Sequence, residues 1–423
     1  MESNIKKTFR QAIKNGTGDA ILILQRNPDE NFDQAIIEAC NHNLAYDPQC
    51  EGVRSDYLLE ILSLSKNKDM IENNIINNLR LSKVDNWDIA QLFELVKCLA
   101  FAGNKEAKKS LYDRYLKNLE AGYEFVESGE LVELDGVEGL GYSAEILGRH
   151  LRMNSDFWVD DSLIIACTEF YPDSEPEKFL FEKSKTNDDI KTYLESIAET
   201  KESIAQRESP PEVTYESISA LISRGKSVPA YAGRKLSHDD LVRFSIDFEN
   251  DRNKEGYESY LKIFSRIKYP GNIEYIIKFL NSSNSRVVFY AASVLSKEKN
   301  SAIRFVIDNN GIEFLKDKVT LFVNNYNEQD TVLLLNIFAC LENEDDIHSF
   351  IGDAIKVFEN NTIQNPSILF NKLYRSNHCS ICRQAMIKVL MSAKDISEEI
   401  LQELLYDSEL EIRELAKNYE REV

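Results

Sequence analysis

The chain has 423 residues, enough for two or three ordinary domains or one long repeat array. Its 71 acidic residues against 50 basic ones leave a formal charge of −21, which repels phosphate backbones and anionic membranes and favours a partner with basic patches over nucleic acid. With 16 glycines and 9 prolines, it has too few turn residues for an all-β protein of this length and suits long helices joined by short turns.

In chain order, residues 1–14 lack the apolar run of a secretory leader, and the most apolar stretches, 20–24 and 331–341, are far too short to span a bilayer. Helical apolar spacing pairs 32–41 with 53–64 and 71–79 with 89–101, followed by 111–119, 144–151 and 163–170. Cys40 and His42 bring a thiol and an imidazole together, but two residues apart on a helix they diverge, and Cys40 continues the apolar face of Ile36 and Ile37. The loop 45–52 is polar and aromatic, is closed by Pro48 and Gly52, and runs into Arg54 and Tyr57. Tyr and Arg supply interface anchors, so Tyr46, Gln49, Arg54 and Tyr57 are candidate partner-binding residues. The competing reading is that Tyr46 and Arg54 tie the turn to its neighbour.

Residues 127–141 carry Gly129, Gly136, Gly139 and Gly141 among Val, Leu and acids, which reads as an irregular loop or brief hairpin; such an interruption suits a ligand loop, but a turn between helices is the favoured reading. Gly136-x-x-Gly139-x-Gly141 is no nucleotide loop, because no strong strand precedes it and no Lys-Ser/Thr follows. Trp158 stands beside Asp160 and Asp161. A carboxylate pair can do acid–base work or hold a cation, but these two precede the helix 163–170, where acids meet the helix dipole. Trp158 joins the partner-binding candidates.

The stretch 207–236 contains Pro210, Pro211, Gly225, Pro229 and Gly233 around a short predicted helix, 215–223. It divides the chain into an irregular helical region, 1–207, a linker, 208–236, and a repeat array, 237–423. Local charge reverses over 224–243, where Arg224, Lys226, Arg234, Lys235 and Arg243 face Asp239 and Asp240. Arg234, Lys235 and Arg243 are candidates for an anionic or partner contact.

In the C-terminal part, apolar residues at offsets 0, +4 and +7 recur from 287, 319, 351, 382 and 412, so the steps are 32, 32, 31 and 30 residues. Each set follows a second apolar segment, at 273–280, 302–307, 332–341, 368–373 and 396–405. Such a helix–turn–helix unit buries its apolar face only by stacking on neighbours. The run Ile412-Arg413-Glu414-Leu415-Ala416, after the polar turn Asp407-Ser408, resembles a HEAT repeat, and Cys382-Arg383 and Val53-Arg54 repeat the apolar–Arg pair. The resemblance implies an all-α solenoid of stacked antiparallel helix pairs, in one array or two, in which the Arg commonly pairs with an acid of a neighbouring turn. Val288, Thr320 and Gly352 stand where three units would carry that Arg.

His378-Cys379-x-x-Cys382 sets two thiols on one side of a helix start, but a structural zinc site needs four ligands and no second Cys-x-x-Cys exists, so core packing is the first reading. Seven scattered cysteines suit reduced thiols in a cytoplasm. No HExxH or GxSxG occurs, and no catalytic, cofactor or metal residue is assigned. The primary expectation is a non-enzymatic interaction scaffold or adaptor that binds a protein along a concave helical face. One alternative is an enzyme of the HEAT-like DNA glycosylase type, for which Trp87 and Trp158 are available but concentrated Lys and Arg are not. The other is an acidic inhibitor or immunity-type protein that masks a basic effector.

Overall fold

The structure, a computed structural model, describes residues 3–83, 86–122, 128–154, 156–206, 212–250 and 256–422. Residues 127, 207, 210 and 211, named above, lie outside them. Among the described residues the chain is all-α, with no strand, and no helix is long and apolar enough to cross a membrane.

Local chemistry accounts for many helix starts. Asn86, Asn104, Asn187, Asn272, Asn284, Asn300 and Asn343 each N-cap a helix, their side chains accepting backbone N–H groups of the first turn. The apolar spacing places most helices: the predicted 215–223 is the helix Tyr215–Ser223, and four of the five repeat sets fall on Ser285–Leu295, Glu344–Asn360, Ser380–Ser392 and Leu410–Glu422. The set beginning at 319 instead forms the short 3-10 segment Val319–Phe322. There the Asn325 side chain takes the Leu321 carbonyl (3.2 Å) and the Glu298 carbonyl (2.9 Å), and Asn324 takes that of Ser296 (2.6 Å). Only the Leu321 carbonyl belongs to this segment; the other two tie it to the turn after the helix Ser285–Leu295.

The glycine-rich stretch corrects an expectation. In place of a loop or hairpin, Gly129–Met153 is helical on both sides of one break at Gly136, whose φ of 56° and ψ of −130° lie outside the helical region. Side chains hold the first half: Lys97, itself buried, pairs with Glu133 and with Glu94 (2.8 Å), Tyr112 donates to Asp135 (2.5 Å), and Tyr171 donates to the Glu133 carbonyl (2.6 Å).

The chain forms two compact units, Met1–Glu208 with His378–Ser380 and Glu398–Val423, and Ser209–Asn377 with Ile381–Ser397. In the first, one apolar cluster runs from Phe9 to Ile197. The last two helices, Glu398–Leu404 and Leu410–Glu422, join this unit through the turn at residues 16–18. The Ser408 amide donates to the Gly16 carbonyl (2.8 Å), and a Cβ on Gly18 would lie 1.9 Å from the Glu403 oxygen. Tyr57 donates its hydroxyl to the Thr17 carbonyl (2.8 Å), and Arg54 donates to that of Lys14 (2.7 Å) while pairing with Glu51 (3.2 Å). Glu51 also accepts from the Ser380 amide (2.9 Å), and Arg413 pairs with Glu60 (2.9 Å). In the second unit, Phe248 packs among Tyr257, Tyr260, Tyr269, Tyr275 and Phe279, and Arg304 pairs with buried Asp330 (2.6 Å).

Two measurements check the first unit. Gly18→Ala forces a methyl onto a backbone oxygen and should cost about 1–3 kcal/mol in denaturant melts, whereas Gly311→Ala, with open space around it, should change stability by less than about 0.5 kcal/mol. Burial pushes the Glu51 carboxyl up, but the N–H groups of Ser380 and Asp47 and the Arg54 charge outweigh it and leave the group below its ordinary 4.5. Its stabilisation is therefore full above that ordinary value and lost as pH falls through the lower folded one. Glu51→Gln should flatten the acid limb of stability against pH; an unchanged limb would rule Glu51 out as its source.

Candidate functional site

The first unit contains a cleft of about 680 Å³. The helix Lys105–Ala121 supplies Leu119, Gly129–Met153 supplies Leu147 and His150, and Ser162–Phe170 supplies Leu163. Asp188–Ala205 supplies Tyr193, and the connection before Ser162 supplies Phe157, Trp158 and Asp160. Leucines, Phe157 and Val159 give the lining its apolar part, and His150, Asp160 and Tyr193 its titratable groups.

Tyr193 decides the character of this cleft. It follows Ile190 and precedes Ile197 on the buried face of its helix, and its side chain is 0% exposed. Its hydroxyl has no hydrogen-bond partner among the described residues. Burial, then the charges of Asp160 and Asp161, push the phenol well above its usual range, so it stays protonated at any physiological pH. A buried hydroxyl left unpaired costs about 1–3 kcal/mol.

The two carboxylates have separate roles. Asp161 pairs with Lys201 (2.7 Å), and that hydrogen bond holds its carboxyl below the ordinary range. Asp160 is half-buried, accepts the Ser162 amide (3.0 Å), and has no cationic partner among the described residues. Trp158 stands 63% exposed on the rim, and His150 packs edge-on against Phe157 with ring centroids 4.7 Å apart.

Of the residues singled out from sequence, Trp158 and Asp160 line this cleft. Arg54 and Tyr57 are buried, with their polar groups directed at the 14–17 turn, so they serve the fold; Tyr46 is half-buried, and Gln49 is exposed on the short helix Pro48–Glu51, which replaces part of the expected loop. Arg234 and Lys235 are exposed on the short helix Ala232–Lys235 of the second unit. Lys297 is pushed below its usual range by burial and then by the charges of Lys356 and Arg234, which marks a positive patch there; Lys356 is itself paired with Asp353 (2.8 Å). Arg243 lies over the Tyr215 ring (3.6 Å) and near Asp240 (3.4 Å) and Glu216 (3.7 Å), so its charge is engaged within the chain.

The Cys40 thiol likewise serves the core. Cys40 is buried, and burial pushes its thiol up to about 12. His42 turns instead to Asp88 (3.0 Å). Cys379 is buried and Cys382 half-buried, and the His378 ring lies 3.1 Å from the Gln11 amide nitrogen. Sequence reasoning missed Tyr193, His150 and Phe157. Tyr193 sits at an ordinary core position of its helix, and nothing in the sequence marks its hydroxyl as unpaired.

Comparison of the chain with protein-family models, curated proteins and solved structures returns no match. The residues of the site carry the functional argument by themselves.

The thiols offer a direct check on this packing. Under native conditions an alkylating reagent should modify the exposed Cys50 and Cys340, while Cys40, buried and held as the thiol, should react only on unfolding. Native modification of Cys40 at the rate of Cys340, read by peptide mass spectrometry, would contradict its placement.

Proposed function

We propose that the protein is a non-enzymatic interaction scaffold or adaptor. On this reading, helix pairs stacked in the HEAT manner present a face to a protein partner that carries basic patches. The observation that carries it is Trp158, a large aromatic 63% exposed on the rim of a cleft and two residues from an Asp without a cationic partner among the described residues. A wet indole beside an uncompensated carboxylate has the composition of an interface anchor for a cationic group. The surplus of 21 negative charges acts in the same direction over longer range, by steering a basic partner and repelling polyanions. The engagement of Arg243 with Tyr215, Asp240 and Glu216 supports a protein partner over a phosphate backbone. Seven free cysteines accord with a reducing cytoplasm.

Affinity capture from native lysate, followed by mass spectrometry, tests the proposal. The full chain should retain a stoichiometric partner of basic pI, released on raising the salt from roughly 0.15 to 0.5 M as electrostatic attraction is screened. Trp158→Ala should lower retention by about tenfold, the effect of losing an interface anchor. Salt-insensitive capture, or retention unchanged in Trp158→Ala, would overturn this reading.

A further inference from the structure

The same cleft specifies more than a surface. Three of its features are each incomplete: a fully buried phenol hydroxyl without a partner, a half-buried carboxylate without a cation, and an indole face open to solvent. The first and second statements hold among the described residues. A water molecule could satisfy the hydroxyl, but it would neither neutralise Asp160 nor cover Trp158. An anion is disfavoured by Asp160 and by Asp161 next to it, and a purely apolar ligand would leave the hydroxyl and the carboxylate dry and unpaired.

We infer that this cleft binds an organic cation with N–H donors, specifically a guanidinium, its plane against Trp158 and its N–H groups shared between Asp160 and the Tyr193 hydroxyl. A guanidinium is flat, weakly hydrated and edged with donors, so one group can stack on the indole, neutralise the carboxylate and donate to the Tyr193 oxygen. An ammonium is a strongly hydrated point charge and serves them less well. The remaining titratable group of the lining, His150, is packed on Phe157. The inference goes beyond the adaptor reading, because it concerns what one cleft holds whether the guanidinium is an arginine side chain of a partner or a free guanidino compound.

The test uses the purified full chain and no protein partner. Trp87 and Trp158 are the two tryptophans, so Trp87→Phe leaves Trp158 as the sole indole reporter, and calorimetry on the unaltered chain serves as a second readout. N-acetyl-arginine methylamide should give a saturable change in Trp158 emission. The uncharged citrulline analogue should bind at least about tenfold more weakly, as loss of a charge-assisted bidentate contact implies, and the lysine analogue should fall between them. Asp160→Asn keeps an oxygen acceptor for the Ser162 amide and removes the charge; it should weaken binding by about fivefold or more. Tyr193→Phe should weaken binding by about threefold or more while its melting temperature stays level or rises, because it deletes an unpaired buried hydroxyl. Free L-arginine binding as tightly as the blocked amide identifies a free compound as the source, and weaker binding identifies a side chain; both support the inference. No saturable response to the arginine amide, equal binding of the citrulline analogue, or unaltered binding in Asp160→Asn would overturn it. The adaptor reading can fail by lysate capture while the cleft still binds the amide, and the reverse holds equally.

Discussion

At Gly18 there is no room for a methyl group, because a Cβ would lie 1.9 Å from the carbonyl oxygen of Glu403. Backbone meets backbone there, and the Ser408 amide bonds the Gly16 carbonyl beside it. Much of the first unit is organised to hold that turn. Tyr57 takes the Thr17 carbonyl, Arg54 takes that of Lys14, and Glu51 binds Arg54 on one side and the Ser380 amide on the other. Charged and aromatic residues that would look like interface anchors on a surface loop are therefore interior polar ties. Buried ion pairs of this kind add specificity more than net stability, since desolvation offsets their attraction.

The cleft is built on the opposite logic. Its polar groups sit on or next to helices, and among the described residues the Tyr193 hydroxyl has no hydrogen-bond partner and Asp160 no cationic one. Leaving a phenol hydroxyl dry and unpaired lowers stability, and such strained or unsatisfied positions gather where a fold reserves something for a ligand. Asp161 shows the contrast at one residue's distance: Lys201 satisfies it, so it serves the helix start, while Asp160 keeps its charge uncompensated among the described residues. Similar carboxylates thus differ in role because one lysine reaches only one of them.

How much of this was legible beforehand depended on the range of the interaction. Apolar spacing located the helix Tyr215–Ser223 to the residue and placed Ser285–Leu295, Glu344–Asn360 and Leu410–Glu422, because helix periodicity is written locally. The glycine stretch was read in part: helical segments meet at a break at Gly136, as a turn between helices implies, but the irregular loop or hairpin is absent. Four glycines in thirteen residues signal a loop when only local propensity is weighed. The helix on either side of Gly136 persists because Lys97, Tyr112 and Tyr171, from other elements, grip Glu133 and Asp135. The set beginning at 319 forms only the 3-10 segment Val319–Phe322, after which Asn324 and Asn325 bond carbonyls at Ser296 and Glu298, distant contacts that apolar spacing does not register. In the cleft, Trp158 was flagged by its type and its acidic neighbours, whereas Tyr193 was hidden in an apolar pattern it fits perfectly well.

Composition and periodicity by themselves determined an all-α chain, an acidic surface and the positions of most helices, since helix propensity, charge and apolar spacing act within a few residues of one another. Only the tertiary structure decided that the last two helices join the N-terminal unit through Gly16 and Gly18, that Arg54 and Tyr57 face inward, and that Tyr193 meets Trp158 and Asp160 around one cavity. Each of these depends on which groups distant in the chain come within hydrogen-bond reach, and on which polar atoms are left dry when the helices close.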